Sequence, residues 1–199
     1  MGVYLRPGNP KDIWTASWEL EYEDVFHFKN LYKQMHEFLV EEGWTDPDDG
    51  KDKWEHFYFE RTVPASGKKE HRIWWRVQHI PAESDYVRYF MKIDFRTLNM
   101  GTTETMYKGN KYKTWKGNPN ITCEAWLQLD YKNKWDNHAL LKHFDKFFRE
   151  RVYRPYWEDH KLILYRKCYK FQRTVKKFLD LKTPVKEPKL FRPEGGIPS

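Results

Sequence analysis

Arg166, Lys170, Arg173 and Lys177 recur at spacings of four, three and four residues, the pitch that places four cations on one face of an α-helix. Fixed cations in a row are suited to contact with a phosphate backbone or with anionic headgroups. Lys167 and Lys176 widen the row. Only Glu158 and Asp159 precede it in the same helical segment, so pairing between successive turns cannot neutralise it. The bland alternative is a solvated face whose late positive charges suit the negative end of the helix dipole. The charge imbalance is regional. Asn137 to Lys182 holds 13 Lys and Arg against five Asp and Glu, while the whole chain has a formal net charge of only +7.

A second set of residues could stack bases. Tyr58, Trp74, Phe90 and Trp126 fall on the nominally polar side of alternating segments, interleaved with Arg72, Arg76, Arg88, Lys92 and Arg96. Rings on an open sheet beside guanidinium groups hold single-stranded RNA, each base contributing about 1 to 3 kcal/mol. Trp74 and Phe90 are the stacking candidates. The Lys/Arg-Gly-aromatic run of RNA-recognition sheets is absent. The competing expectation is that another element or a second subunit covers these rings.

Signals for catalysis are weak. The eight His are scattered, without a pair three or four apart on one helix, and His-Glu-x-x-His is absent. Glu158, Asp159 and His160 are consecutive, so their side chains diverge on a helix. There is no Gly-x-Ser-x-Gly elbow, Walker loop or Gly-x-Gly-x-x-Gly. Asp94 and Glu124 are carboxylates that burial could tune, although solvated or salt-bridged strand residues of this kind are commoner. No catalytic residue, metal site or cofactor is expected.

The elements that must position these residues read as follows. Trp14, Ala16, Trp18, Leu20 and Tyr22 alternate with polar residues, which predicts a first strand. Val25, Phe28, Leu31, Tyr32, Met35, Phe38 and Leu39 then follow a helical period, with Glu23 and Asp24 at the start and Gly43 as C-terminal cap. Strands are predicted over Trp54–Thr62, His71–Ile80, Tyr86–Leu98, Thr103–Lys108, Lys111–Lys116 and Ile121–Tyr131, with Gly117-Asn118-Pro119 as a connection. After Asn137, a plausible N-cap, Leu140, Leu141, Phe144, Phe147, Phe148 and Val152 form an apolar stripe on a helix that Pro155 should end or kink. Leu164, Cys168, Phe171, Val175 and Phe178 then define the longest helix, with its apolar row turned inward and the cationic row free.

This order predicts an α+β fold of two layers, an antiparallel meander of about five or six strands packed by an N-terminal helix and long C-terminal helices. Residues 1–182 form a single domain, and 183–199 a Pro/Gly-rich extended or disordered tail. An aromatic content of 18% offsets the polar mean hydropathy of −0.97 and predicts a ring-rich core. Cys123 and Cys168 read as buried free thiols, and neither a signal pattern nor an apolar span is present, which points to the cytoplasm. In element order the chain resembles helix-grip proteins of the START and polyketide-cyclase-like group, where a curved sheet wraps the last helix around an apolar cavity.

Three functions follow as expectations. The first is a non-enzymatic protein that engages an anionic polymer, RNA or a ribonucleoprotein, through Arg166, Lys170, Arg173 and Lys177. The second is a helix-grip-like carrier of an apolar small molecule between the sheet and the last helix. The third, ranked lower, is attachment to an anionic membrane surface by the row from Leu164 to Phe178.

Overall fold

Two long strands, β5 (Val87–Tyr107) and β6 (Asn110–Leu129), pair antiparallel along nearly their whole length and form the spine of the sheet. The computed structural model describes residues 5–6, 8–48, 51–81, 84–107 and 110–181, so the expected tail and its boundary at 182 lie outside the described residues. On one side of the spine, β1 (Asp12–Glu21) and the short β2 (Asp24–Phe26) both pair with β6. On the other, β4 (Lys69–His79) pairs with β5, and β3 (Glu55–Thr62) with β4. The sheet is antiparallel throughout, in the order β1-β6-β5-β4-β3, with β2 following β1 along β6. With α1 (Phe28–Glu41), α2 (Leu141–Phe147) and the 25-residue α3 (Arg154–Phe178), the architecture is α+β.

One face of the sheet packs against α1 and α3. Cross-strand neighbours Trp18, Cys123, Ile93 and Trp75 form one buried row, and Leu20, Ile121, Phe95 and Ile73 the next. From α3, Leu164, Cys168, Phe171 and Val175 enter this layer, each at most 1% exposed. The Phe171 ring lies 5.5 Å from Trp18 and 5.7 Å from Phe38 of α1, and burial of such a ring contributes about 1.5 to 3 kcal/mol. The Trp18 indole donates to the Cys168 carbonyl at 3.2 Å, so a bulky donor enters the core with its hydrogen bond made. Cys123 and Cys168 are both free and buried, their sulfurs 4.0 Å apart.

Four local expectations are corrected. A bulge between Trp14 and Ala16 moves Trp14 off the inner row, leaving it 54% exposed opposite Trp126. Residues 99–107 and 110–120 do not form separate short strands but extend β5 and β6, and a bulge between Leu98 and Gly101 absorbs the bend. Gly117-Asn118-Pro119 therefore lies inside β6. Gly117 is needed there because an added Cβ would come within 2.5 Å of Met100 Sδ. Pro119 falls where β1 has ended and β2 has not begun, so no ladder donor is lost on that side. Finally, His27 rather than an acidic residue caps α1, accepting from Asn30 N–H at 3.2 Å, while Gly43 ends the helix at φ +75° as expected.

α2 departs furthest from expectation. Asn137 does not cap it, and Leu140, Phe144, Phe147 and Val152 face solvent, each more than 55% exposed. The buried side chains in this segment are Asp145 and Arg149. Lys11, itself buried, explains the orientation: its ammonium lies 3.0 Å from Asp130, 2.7 Å from Asp136 and 3.2 Å from Asp145. Burial works against that charge, but the three carboxylates outweigh it and hold the amine above its ordinary pKa. A π-helical turn (Phe148–Val152) leads on to Tyr153, and Pro155 occupies the first turn of α3, where its missing N–H costs nothing.

Candidate anion-binding surface

The buried row of α3 fixes which of its sides meets water. Residues 166, 170, 173 and 177 stand opposite that row on the helix, and all four are exposed. At 1.5 Å per residue the line they form is about 16 Å long. With Ile163, Lys167 and Thr174 they border a shallow surface groove of about 700 Å³.

Among the described residues, one carboxylate reaches this surface. Glu42, the C-cap residue of α1, accepts from Lys170 Nζ at 2.6 Å and from Lys167 Nζ at 3.4 Å. The bond from Lys170 is the main reason its carboxyl titrates below the ordinary glutamate range. Arg166, Arg173 and Lys177 make no ion pair among the described residues, and Arg173 Nε donates only to the Tyr169 carbonyl at 3.4 Å. The cationic ridge is therefore free of the sheet and only locally balanced.

The sheet aromatics lie elsewhere. Trp74 and Phe90 belong to the face opposite the one covered by α1 and α3, so they cannot join the α3 ridge in one continuous surface. Trp74 is 38% exposed and stacked on Phe57, with ring centroids 4.4 Å apart. Phe90 is 1% exposed, set between Trp126 and Gln78 on its neighbouring strands and under the Arg88 guanidinium, and so has no open face for a base. A bulge between Glu55 and Phe57 places Tyr58 on the other side of the sheet, beside Ile73 and His71. Phe57 and Phe59 take the outer positions instead, a change that alternation without the bulge could not reveal.

The carboxylates and histidines considered for chemistry sit in structural pairings. Asp94 is held by Arg76 at 2.8 Å, and Glu124 lies 3.5 Å from Lys92. Burial pushes His160 below its ordinary pKa, and its Nδ1 lies 2.5 Å from the Tyr89 hydroxyl inside the core. No group of three or more His, Cys, Asp or Glu that could hold a metal ion is present among the described residues.

Neither a protein-family model nor a curated protein matches the chain. The reading of function therefore rests on the geometry.

Proposed function

We propose that this protein binds an anionic polymer, RNA or a ribonucleoprotein, through Arg166, Lys170, Arg173 and Lys177. The observation that carries this reading is the exposed row of cations on a helix anchored by Phe171 and its neighbours, with three of the four lacking a carboxylate among the described residues. Guanidinium groups suit phosphate oxygens, and a helix rigid along its length presents them without much ordering cost on binding. Trp74 is a separate contact on the far side of the sheet and serves only a partner long enough to wrap around the molecule.

The carrier reading has less support. The layer between sheet and α3 is filled by Cys168, Phe171 and Val175 against Trp18, Cys123 and their neighbours. Attachment by the Leu164 row would require leaving that core, because Leu164, Cys168, Phe171 and Val175 are all buried in it. No helix among the described residues is long and apolar enough to cross a membrane.

The test is binding of a single-stranded RNA oligonucleotide across a salt series. Four phosphate contacts predict a log–log slope of about −2.8, hence about 50-fold weaker binding for a four-fold rise in salt. Replacing Arg166, Lys170, Arg173 and Lys177 by Glu should abolish the interaction while the thermal transition persists. Absence of binding at low salt, or binding that survives charge reversal, overturns the proposal.

A further inference from the structure

We propose that the groove on the outer face of the sheet is a binding site for a short zwitterion of peptide size. Its carboxylate would lie between Arg72 and Arg96, and its amine at Glu19 and Glu21. Arg72 and Arg96 stand directly opposite each other on β4 and β5, and both are exposed. Like charges directly opposed across a strand pair weaken a sheet, yet neither guanidinium has an ion-pair or hydrogen-bond partner among the described residues. Three of the four carboxylates that line the groove are engaged elsewhere, and the fourth, Glu23 beyond the end of β1, makes no ion pair or hydrogen bond among the described residues. Asp94 is held by Arg76, while Glu19 and Glu21 on β1 both accept from one amide, Asn120 Nδ2, at 2.6 and 3.1 Å.

Asn120 decides the arrangement. It is the cross-strand partner of Glu21 on one side and of Arg96 on the other, so a neutral residue separates a pair of acids from a pair of bases. Two strand spacings, about 9.6 Å, divide Glu21 from Arg96. All of these residues line one groove of about 710 Å³, and Trp74 forms part of its wall, backed by Phe57. Two guanidinium groups side by side match a carboxylate, whose two oxygens can each accept from one. An extended tripeptide carries its two charges about 10 Å apart and has a central side chain within reach of an indole. The groove lies on the side of the sheet away from α3, so this inference does not depend on the function proposed for the ridge.

Calorimetric or NMR titration of the full chain with Gly-Phe-Gly, its C-terminal amide and its N-acetyl form tests the site. The free tripeptide should bind saturably, and each blocked form at least ten-fold more weakly. Arg96→Gln should weaken binding about ten-fold or more while raising the melting midpoint by about 1–2 °C, because it removes the opposed like charge. Glu21→Gln should weaken the amine end alone, narrowing the gap between the free and N-acetyl forms. Absence of saturable binding by the free tripeptide, or equal binding of the amide, overturns the proposal even if a variant fails to fold.

Discussion

α3 and α2 are both amphipathic by sequence, yet they dock in opposite senses. α3 buries Leu164, Cys168, Phe171 and Val175 and turns its cations to water. α2 and the π-helical turn after it bury Asp145 and Arg149 and turn Leu140, Phe144, Phe147 and Val152 outward. The difference lies in what each helix meets. α3 crosses a sheet face already lined with Trp18, Cys123 and Ile93, where apolar contact is the available gain. α2 meets Lys11 beside Asp130 and Asp136, and a buried ammonium gains more from a third carboxylate, that of Asp145, than from a phenyl ring. Periodicity identifies the apolar side of a helix; the surface it meets decides which side is buried.

The largest expected effects test that contrast directly. Phe171→Ala should cost about 3–5 kcal/mol, because a fully buried ring leaves a cavity that the surrounding Trp18 and Phe38 fill only in part. Phe144→Ala, an equal truncation on α2, should change stability by no more than about 0.5 kcal/mol. Urea denaturation of both variants measures the two numbers side by side, and comparable losses would mean that the exposed α2 row is covered in solution. Lys11→Met should cost about 3–5 kcal/mol as well, since it leaves the Asp130 carboxylate buried without its cation and Asp145 with only Arg149, 4.0 Å away. Hydrogen exchange should then show residues 141–147 losing protection before the sheet does.

The same contrast explains what was legible in the residues. The α+β architecture, the meander and the solvent-facing cationic row follow from periods of two and 3.6 residues, and those periods are strong in β5 and α3. Where the structure differs, a feature without periodic trace intervenes. One extra residue at Trp14/Ala16, and another at Glu55/Phe57, reverses which side of the sheet the next side chain faces. Gly117-Asn118-Pro119 has turn composition, but its place in β6 depends on the end of β1 and the approach of Met100, both of which are tertiary facts. The outer groove was only partly visible. Arg72, Arg96 and Trp74 could be read from alternation, whereas the opposition of the two arginines and their separation from Glu19 and Glu21 depend on register.

A milder effect comes from imidazoles on the sheet and on α3 that are buried, as His71 and His160 are, or half-buried, as His79 is. His71, His79 and His160 are all pushed below their ordinary pKa, chiefly by burial. Because the folded state favours the neutral ring, their contribution to stability is full above about pH 6.5, the unfolded value, and is lost as pH falls toward the lowered folded values. Thermal melts from pH 7.5 to 5 should therefore show a falling midpoint, about 2–4 °C for each kcal/mol lost. A midpoint that is flat or rises over this range would place the three rings in contact with water.

A further small effect on stability is the most informative about the ridge. Glu42→Gln removes the one carboxylate among the described residues that engages the ridge, and because the pair is partly solvated the loss should stay below about 1 kcal/mol. That loss has a sign in pH. Glu42 titrates below its ordinary value because Lys170 holds it charged, so its contribution is present above about pH 4.5 and disappears as pH falls through the folded value. Binding should move the other way. With Lys170, already one of the four phosphate contacts, freed of its competitor and Lys167 released, RNA should bind more tightly at low salt, and the log–log salt slope should steepen by about 0.7 as Lys167 gains a phosphate. If affinity and slope both stay at the wild-type values, Glu42 does not compete with the polymer for these lysines.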